Sequence, residues 1–103
     1  MLEKLSYASF APLLNSQFQV ERSMPGDVFV ELIEAHEAPA APGYEVFSLV
    51  FRGPASAFLP QAMYPFHHAA LGTFDLFIAP IRQDDQGLYY EAVFNRRSAE
   101  GEA

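Results

Sequence analysis

The chain of 103 residues contains no cysteine, one lysine, and no apolar run long enough to cross a bilayer. Without thiols there is no disulfide framework and no need for an oxidising compartment. A membrane helix requires about 18 consecutive apolar residues, so a spanning helix is excluded. The opening stretch MLEKLSYASFAPLL carries an early Glu and lacks the apolar core of a secretory signal, so the expected location is the cytoplasm. Basic residues are scarce as well: six against 13 acidic ones, for a net charge of −7. Such a field repels nucleic-acid phosphates and anionic membrane surfaces, and neither is an expected partner. No Ser sits in a G-x-S-x-G context, and no H-x-H, H-E-x-x-H or glycine-rich phosphate loop occurs. No catalytic residue, metal site or cofactor is assigned on these grounds, and the chain reads as non-enzymatic.

What the chain has in quantity is greasy and aromatic. Half of its residues are hydrophobic and 15% are aromatic, with ten Phe and five Tyr, a composition that folds. Residues 44–54, YEVFSLVFRGP, form the densest apolar stretch. Its two β-branched and two aromatic apolar residues favour a strand over a helix. With Val46, Phe47, Leu49, Val50 and Phe51, both of its faces would be apolar, as in a strand covered on both sides. Gly53-Pro54 closes it.

Around this strand the period is two. Phe18 and Val20 alternate with Gln17, Gln19 and Glu21 in a first strand, and the second covers residues 28–36. Met24-Pro25-Gly26-Asp27 is a turn that joins these two into a hairpin. Residues 37–43 hold three Ala and two Pro and form an exposed loop. A fourth strand over 61–67 contains Pro65, which confines it to an edge or a bend. A fifth covers 73–81, with Pro80 closing it or marking a bulge, and residues 82–87 form a polar turn ending in Gly. A sixth covers 88–95. At the N-terminus, Ser6 caps a short helix over 7–14 that Pro12 and Asn15 end or kink. Too short to stand alone, that helix is expected to dock as a lid on the sheet.

These elements predict one all-β domain over residues 1–95, a small six-stranded antiparallel barrel or sandwich with one short N-terminal helix. A frayed tail over 96–103 follows. Closure into a barrel removes exposed edges and is the favoured form.

The order F-S-L-V-F-R-G-P at 47–54, L-P-Q at 59–61, L-G-T-F-D-L-F-I at 71–78 and Y-E-A-V-F-N at 90–95 resembles a small uncharacterised bacterial family. That family is the domain of unknown function six-nine-one-six, and the start L-x-Y-x-x-F-x-P-L-L-N at 5–15 is similar too. The resemblance spans nearly the whole chain. It implies a stand-alone all-β domain and brings no established activity, ligand or catalytic residue. It also implies, by neighbourhood analogy alone, an accessory part in a phage-tail-like or other bacterial assembly.

Few residues are suited to chemistry. A metal reading joins His36 and one of His67 or His68 with Glu34 or Asp75; the plainer reading leaves them as exposed strand-end residues. Glu31, Glu45, Asp75 and Glu91 alternate with apolar neighbours, as carboxylates do on the wet side of a strand. Ser48 fits a small core filler. Arg52, at the end of the apolar strand, is expected to pair with Asp75 or Glu45, or else to anchor a partner's carboxylate.

The rings, however, exceed what one small core can hide. Tyr44, Tyr64, Tyr89, Tyr90, Phe58, Phe66 and Phe77 cannot all be central, and surplus rings outside mark an interface. The expected contact patch is Phe77, Tyr89 and Val93, with Phe77 and Tyr89 as cross-strand neighbours and Arg52 beside them. The plainer account buries these rings in a second layer under the helix. The expected function is therefore a non-enzymatic protein-interaction domain whose partner is another protein or the chain itself. The alternatives are a binder of a small apolar ligand in the barrel mouth and a metal-dependent enzyme using His36 and His67.

Overall fold

The structure, a computed structural model, describes residues 5–24 and 26–97. Pro25 of the expected turn and residues 98–103 of the expected tail lie outside the described residues. One helical segment precedes six strands: α1 is Tyr7–Phe10, continued by a 3-10 turn at Ala11–Leu13. The strands are β1 Gln17–Val20, β2 Val28–Ala38, β3 Tyr44–Gly53, β4 Ala62–His68, β5 Gly72–Asp84 and β6 Gly87–Arg97. Their spatial order is β1-β2-β3-β6-β5-β4, every pair is antiparallel, and β4 returns to β1. Of the two all-β forms expected, the sheet takes the one that closes on itself.

Alternation along each strand sends one set of side chains into the ring. Val28, Val30 and Leu32 of β2, Phe74, Leu76 and Ile78 of β5, and Leu88, Tyr90, Ala92 and Phe94 of β6 are all buried. A ring has one interior, which corrects the reading of β3 as covered on both faces. Phe47, Leu49 and Phe51 point inward and are at most 1% exposed, whereas outward Val46, Ser48 and Arg52 are only half-buried. Outward Val50, at 4%, is the exception. Ser48 is accordingly no core filler; it lies opposite His36 and Val93 on the outer surface.

The interior is dominated by rings. Phe18 meets Phe51 edge-on at 5.3 Å between centroids, and Phe47 stacks on Phe94 at 4.3 Å. Phe10, fully buried, enters from α1 and contacts Phe18, Phe47, Phe74 and Phe94. The helical segment is thus a plug that inserts its own ring, rather than a lid laid over an empty mouth. Its helix is shorter than residues 7–14 because Pro12 falls in the 3-10 turn and Asn15 takes φ 72°. At its start the Ser6 N–H donates to Ser9 Oγ at 3.0 Å.

Irregularities sit where the sequence signals them. Register shifts occur between Leu32 and Glu34 in β2 and between Pro80 and Arg82 in β5, so Pro80 marks a bulge. Pro65 lies beside the closing seam, where β1 and β4 pair only at Gln19↔His67 and Val20↔Phe66 and the Pro65 carbonyl accepts from Glu21 N–H. β5 and β6 are longer than expected: their ladder runs to Asp84↔Gly87, leaving a two-residue turn. Gly87 there has φ 143°, and a Cβ at this position would collide with the Gly53 carbonyl oxygen. The expected tail boundary moves as well, because Arg96 and Arg97 belong to β6, opposite Glu45 and Tyr44. Arg96 Nε donates to Glu45 at 2.8 Å, its guanidinium covers the Phe94 ring at 4.9 Å, and it also donates to the Leu5 carbonyl.

Candidate interaction face

The pleat that packs the ring's interior also decides which apolar side chains remain outside. On β5, Phe77 alternates with buried Leu76 and Ile78 and is 48% exposed. Directly opposite it on β4 stands Met63, 59% exposed. Val93 of β6, 65% exposed, shares the outer surface and faces Ser48 across the β3–β6 ladder. Cross-strand neighbours such as Met63 and Phe77 have Cβ atoms about 5 Å apart, so they present one continuous apolar surface. Asp75, opposite Pro65, and Glu91, opposite Ala79 and Val50, lie on the same outer surface.

Tyr89 does not belong to this surface. It points outward, as expected, yet is only 4% exposed. Its phenol donates to the Asp84 carboxylate at 2.9 Å, and the Arg82 guanidinium lies 4.1 Å above its ring. The β5–β6 register sets Ala79 against Glu91, so Tyr89 falls opposite Arg82, beyond the bulge at Ile81 and well along the strand from Phe77, with Arg52 opposite it on β3. Tyr89 therefore fastens the β5–β6 hairpin. Asp84 gains from this: burial works against its charge, but N–H donors at Gln86 and Gly87, the Tyr89 hydroxyl and Arg82 outweigh it and lower its pKa.

Arg52 has a different carboxylate partner from those expected. It donates to Glu31 Oε1 at 2.9 Å, from the position directly opposite on β2. Glu45 is held by Arg96 instead, and Asp75 stands opposite Pro65, well along β5 from Arg82, which shares Tyr89 with Arg52 as a ladder partner. The hydrogen bond with Glu31, followed by that with Tyr89, raises the Arg52 pKa. Arg52 is thus already paired, near the hairpin and away from Phe77.

The histidines are not gathered. His36 contacts Glu34 at 2.9 Å, while His67 contacts Glu21 at 2.9 Å and Thr73 at 2.8 Å. His68 bonds Ser16 and packs its ring 4.4 Å from Phe18. Among the described residues no group of three or more His, Cys, Asp or Glu is placed to hold a metal ion. Of the four mid-strand carboxylates, Glu31 and Glu45 are tied into ion pairs with arginines.

Of the surplus rings, Tyr90 and Phe66 are core, Tyr64 is half-buried with its hydroxyl on the Pro60 carbonyl, and Tyr44, Phe58 and Phe77 are outside. Met63, opposite Phe77, is an outward apolar residue that sequence reasoning left out of the patch, and Phe29, 54% exposed, stands outward elsewhere, on β2. Period-two counting back from buried Phe66 would have placed Met63 outside.

A family model described as "Domain of unknown function (DUF6916)" matches residues 5–94, most of the chain. The chain belongs to that family. The match takes in α1 and all but the last residues of β6, so the family's segment coincides with the plugged ring and with the outer face bearing Met63, Phe77 and Val93. No curated protein and no solved structure matches the chain. Among the described residues no helix is long and apolar enough to cross a membrane.

Proposed function

We propose that this chain is a non-enzymatic interaction domain that binds another protein through the outward apolar residues of β4, β5 and β6. The observation that carries this reading is the Met63–Phe77 pair, two large apolar side chains in direct register with about half of each left in water. Interfaces take most of their energy from a few such anchors surrounded by polar side chains. Asp75 and Glu91 supply a polar rim to this one. The net charge of −7 opposes association of two copies, which favours a different protein as partner. The ring mouth, where an apolar ligand would enter, is filled by Phe10. As corollaries of the same proposal, we place the domain in the cytoplasm and make it an accessory part of a phage-tail-like or other bacterial assembly.

The test is capture from lysate of the native host with the wild-type chain, M63D, F77D and V93D, alongside light scattering of the purified chain. The expected result is a protein retained by the wild type and released by F77D and M63D, with the purified chain a monomer. Equal retention by all four chains sinks the proposal. A stable homodimer broken by F77D would move the partner to a second copy.

A further inference from the structure

We propose that the outer face of β1 and β2 is a binding site for a neutral carbohydrate, with Phe29 as its stacking platform. Phe29 lies outside the Met63–Phe77 surface and in different company. The pairings place Thr73, His67, Gln19 and Phe29 in one row across β5, β4, β1 and β2, each opposite the next. A depression of about 440 Å³ lies along this row, lined by Gln17, Gln19, Phe29, His67 and Thr73 among others. A second of about 200 Å³ adjoins it, reaching Glu31, Arg52 and Gln86. Gln17 and Phe29 line both, so the two form one trough with the exposed ring at its centre.

The chemistry of the lining selects the ligand. The Arg52 guanidinium is met by Glu31, and the His67 ring contacts Glu21, each at 2.9 Å. The chain's −7 opposes a polyanion, which removes single-stranded nucleic acid. One isolated ring amid polar side chains suits a ligand with an apolar face and a polar edge, as a pyranose has. Gln17 and Gln86 are exposed in this lining. Each offers both donors and an acceptor, the pattern that a run of hydroxyl groups satisfies. The ring would hold the C–H face of the sugar while the amides and Arg52 fix its hydroxyls.

The experiment is an amide chemical-shift titration of the full chain with maltohexaose, cellohexaose and chitohexaose, and with oligothymidylate as the anionic control. Saturable shifts centred on Gln17, Gln19, Phe29 and Gln86 are expected for at least one sugar, with Kd in the millimolar range or tighter. Phe29→Ala should weaken that binding at least tenfold, while Phe29→Trp keeps or strengthens it. Gln17→Ala, at an exposed site, serves as a second variant should F29A not fold. The proposal is overturned if none of the three sugars gives saturable shifts, if the shifts centre elsewhere, if neither F29A nor Q17A weakens binding, or if only oligothymidylate binds. These outcomes leave the Met63–Phe77 proposal untouched, since its variants lie on another surface.

Discussion

Replacing Tyr90 by Phe removes one oxygen from the centre of the fold and nothing else. Tyr90 is fully buried, and its hydroxyl accepts the Leu59 N–H at 3.0 Å while lying 3.5 Å from the Ala57 carbonyl. Leu59 is itself 0% exposed, so in the variant its N–H loses its partner where no water replaces it. A buried donor left unsatisfied costs about 1–3 kcal/mol. The ring stays, so no cavity contribution of the kind that follows truncation to Ala is added. For a domain of this size each kcal/mol moves Tm by about 4–8 °C, which predicts a fall of roughly 5–20 °C. Urea unfolding followed by circular dichroism measures the difference. A loss below about 0.5 kcal/mol would refute the reasoning that the Leu59 N–H depends on the Tyr90 hydroxyl for its partner.

The same substitution has a signature at high pH. Burial pushes the Tyr90 phenol above its ordinary 10.0, against the opposing pull of the Leu59 N–H, and burial raises Tyr64 as well. A pKa higher in the fold than in the unfolded chain means that the fold prefers the protonated phenol. The stability this represents is complete below pH 10.0 and is lost as pH rises through the folded pKa. Wild-type stability should therefore decline above pH 10, and Y90F should decline less steeply, keeping the part due to Tyr64.

Phe10→Ala withdraws the ring that touches Phe18, Phe47, Phe74 and Phe94, and should cost about 3–5 kcal/mol in urea unfolding. A loss under 1 kcal/mol would mean that the helical segment does not plug the ring. Gly87→Ala combines φ 143° with a clash against the Gly53 carbonyl, and should destabilise by more than the ~1–3 kcal/mol of backbone strain alone. Thermal unfolding checks this; an unchanged Tm would mean a different hairpin turn. Arg52 and Glu31 are each about a third exposed, so a double-mutant cycle with R52M and E31Q should return only the weak coupling of a solvent-screened ion pair. A larger value would give Arg52 a structural weight that its exposure does not suggest.

Alternation was legible from the sequence because its cause is local. Successive strand residues point to opposite faces, so Phe74, Leu76 and Ile78 had to part from Asp75 and Phe77 whatever the strand's neighbours. The hairpin of β1 with β2, and the choice of a strand end or a bulge at Pro80, followed from glycine and proline chemistry, which is also local; the structure takes the bulge. Phe77 and Val93 were therefore found as outward residues from the pattern alone.

Which outward residues are covered, and by what, depended on register. Tyr89 and Phe77 share a face, but the β5–β6 register sets Tyr89 beside Arg82 and Asp84, which hide it, while the β4–β5 register sets Met63 against Phe77 and leaves both in water. The same non-local pairing chose Glu31 over Asp75 for Arg52 and brought Gln17, Phe29 and Gln86 to one trough. The sequence by itself determined an all-β chain with a known set of inward and outward side chains, because that depends on a two-residue period. Only the closed sheet decided who stands next to whom, because partners across a ladder are set by long-range registry that no local pattern encodes.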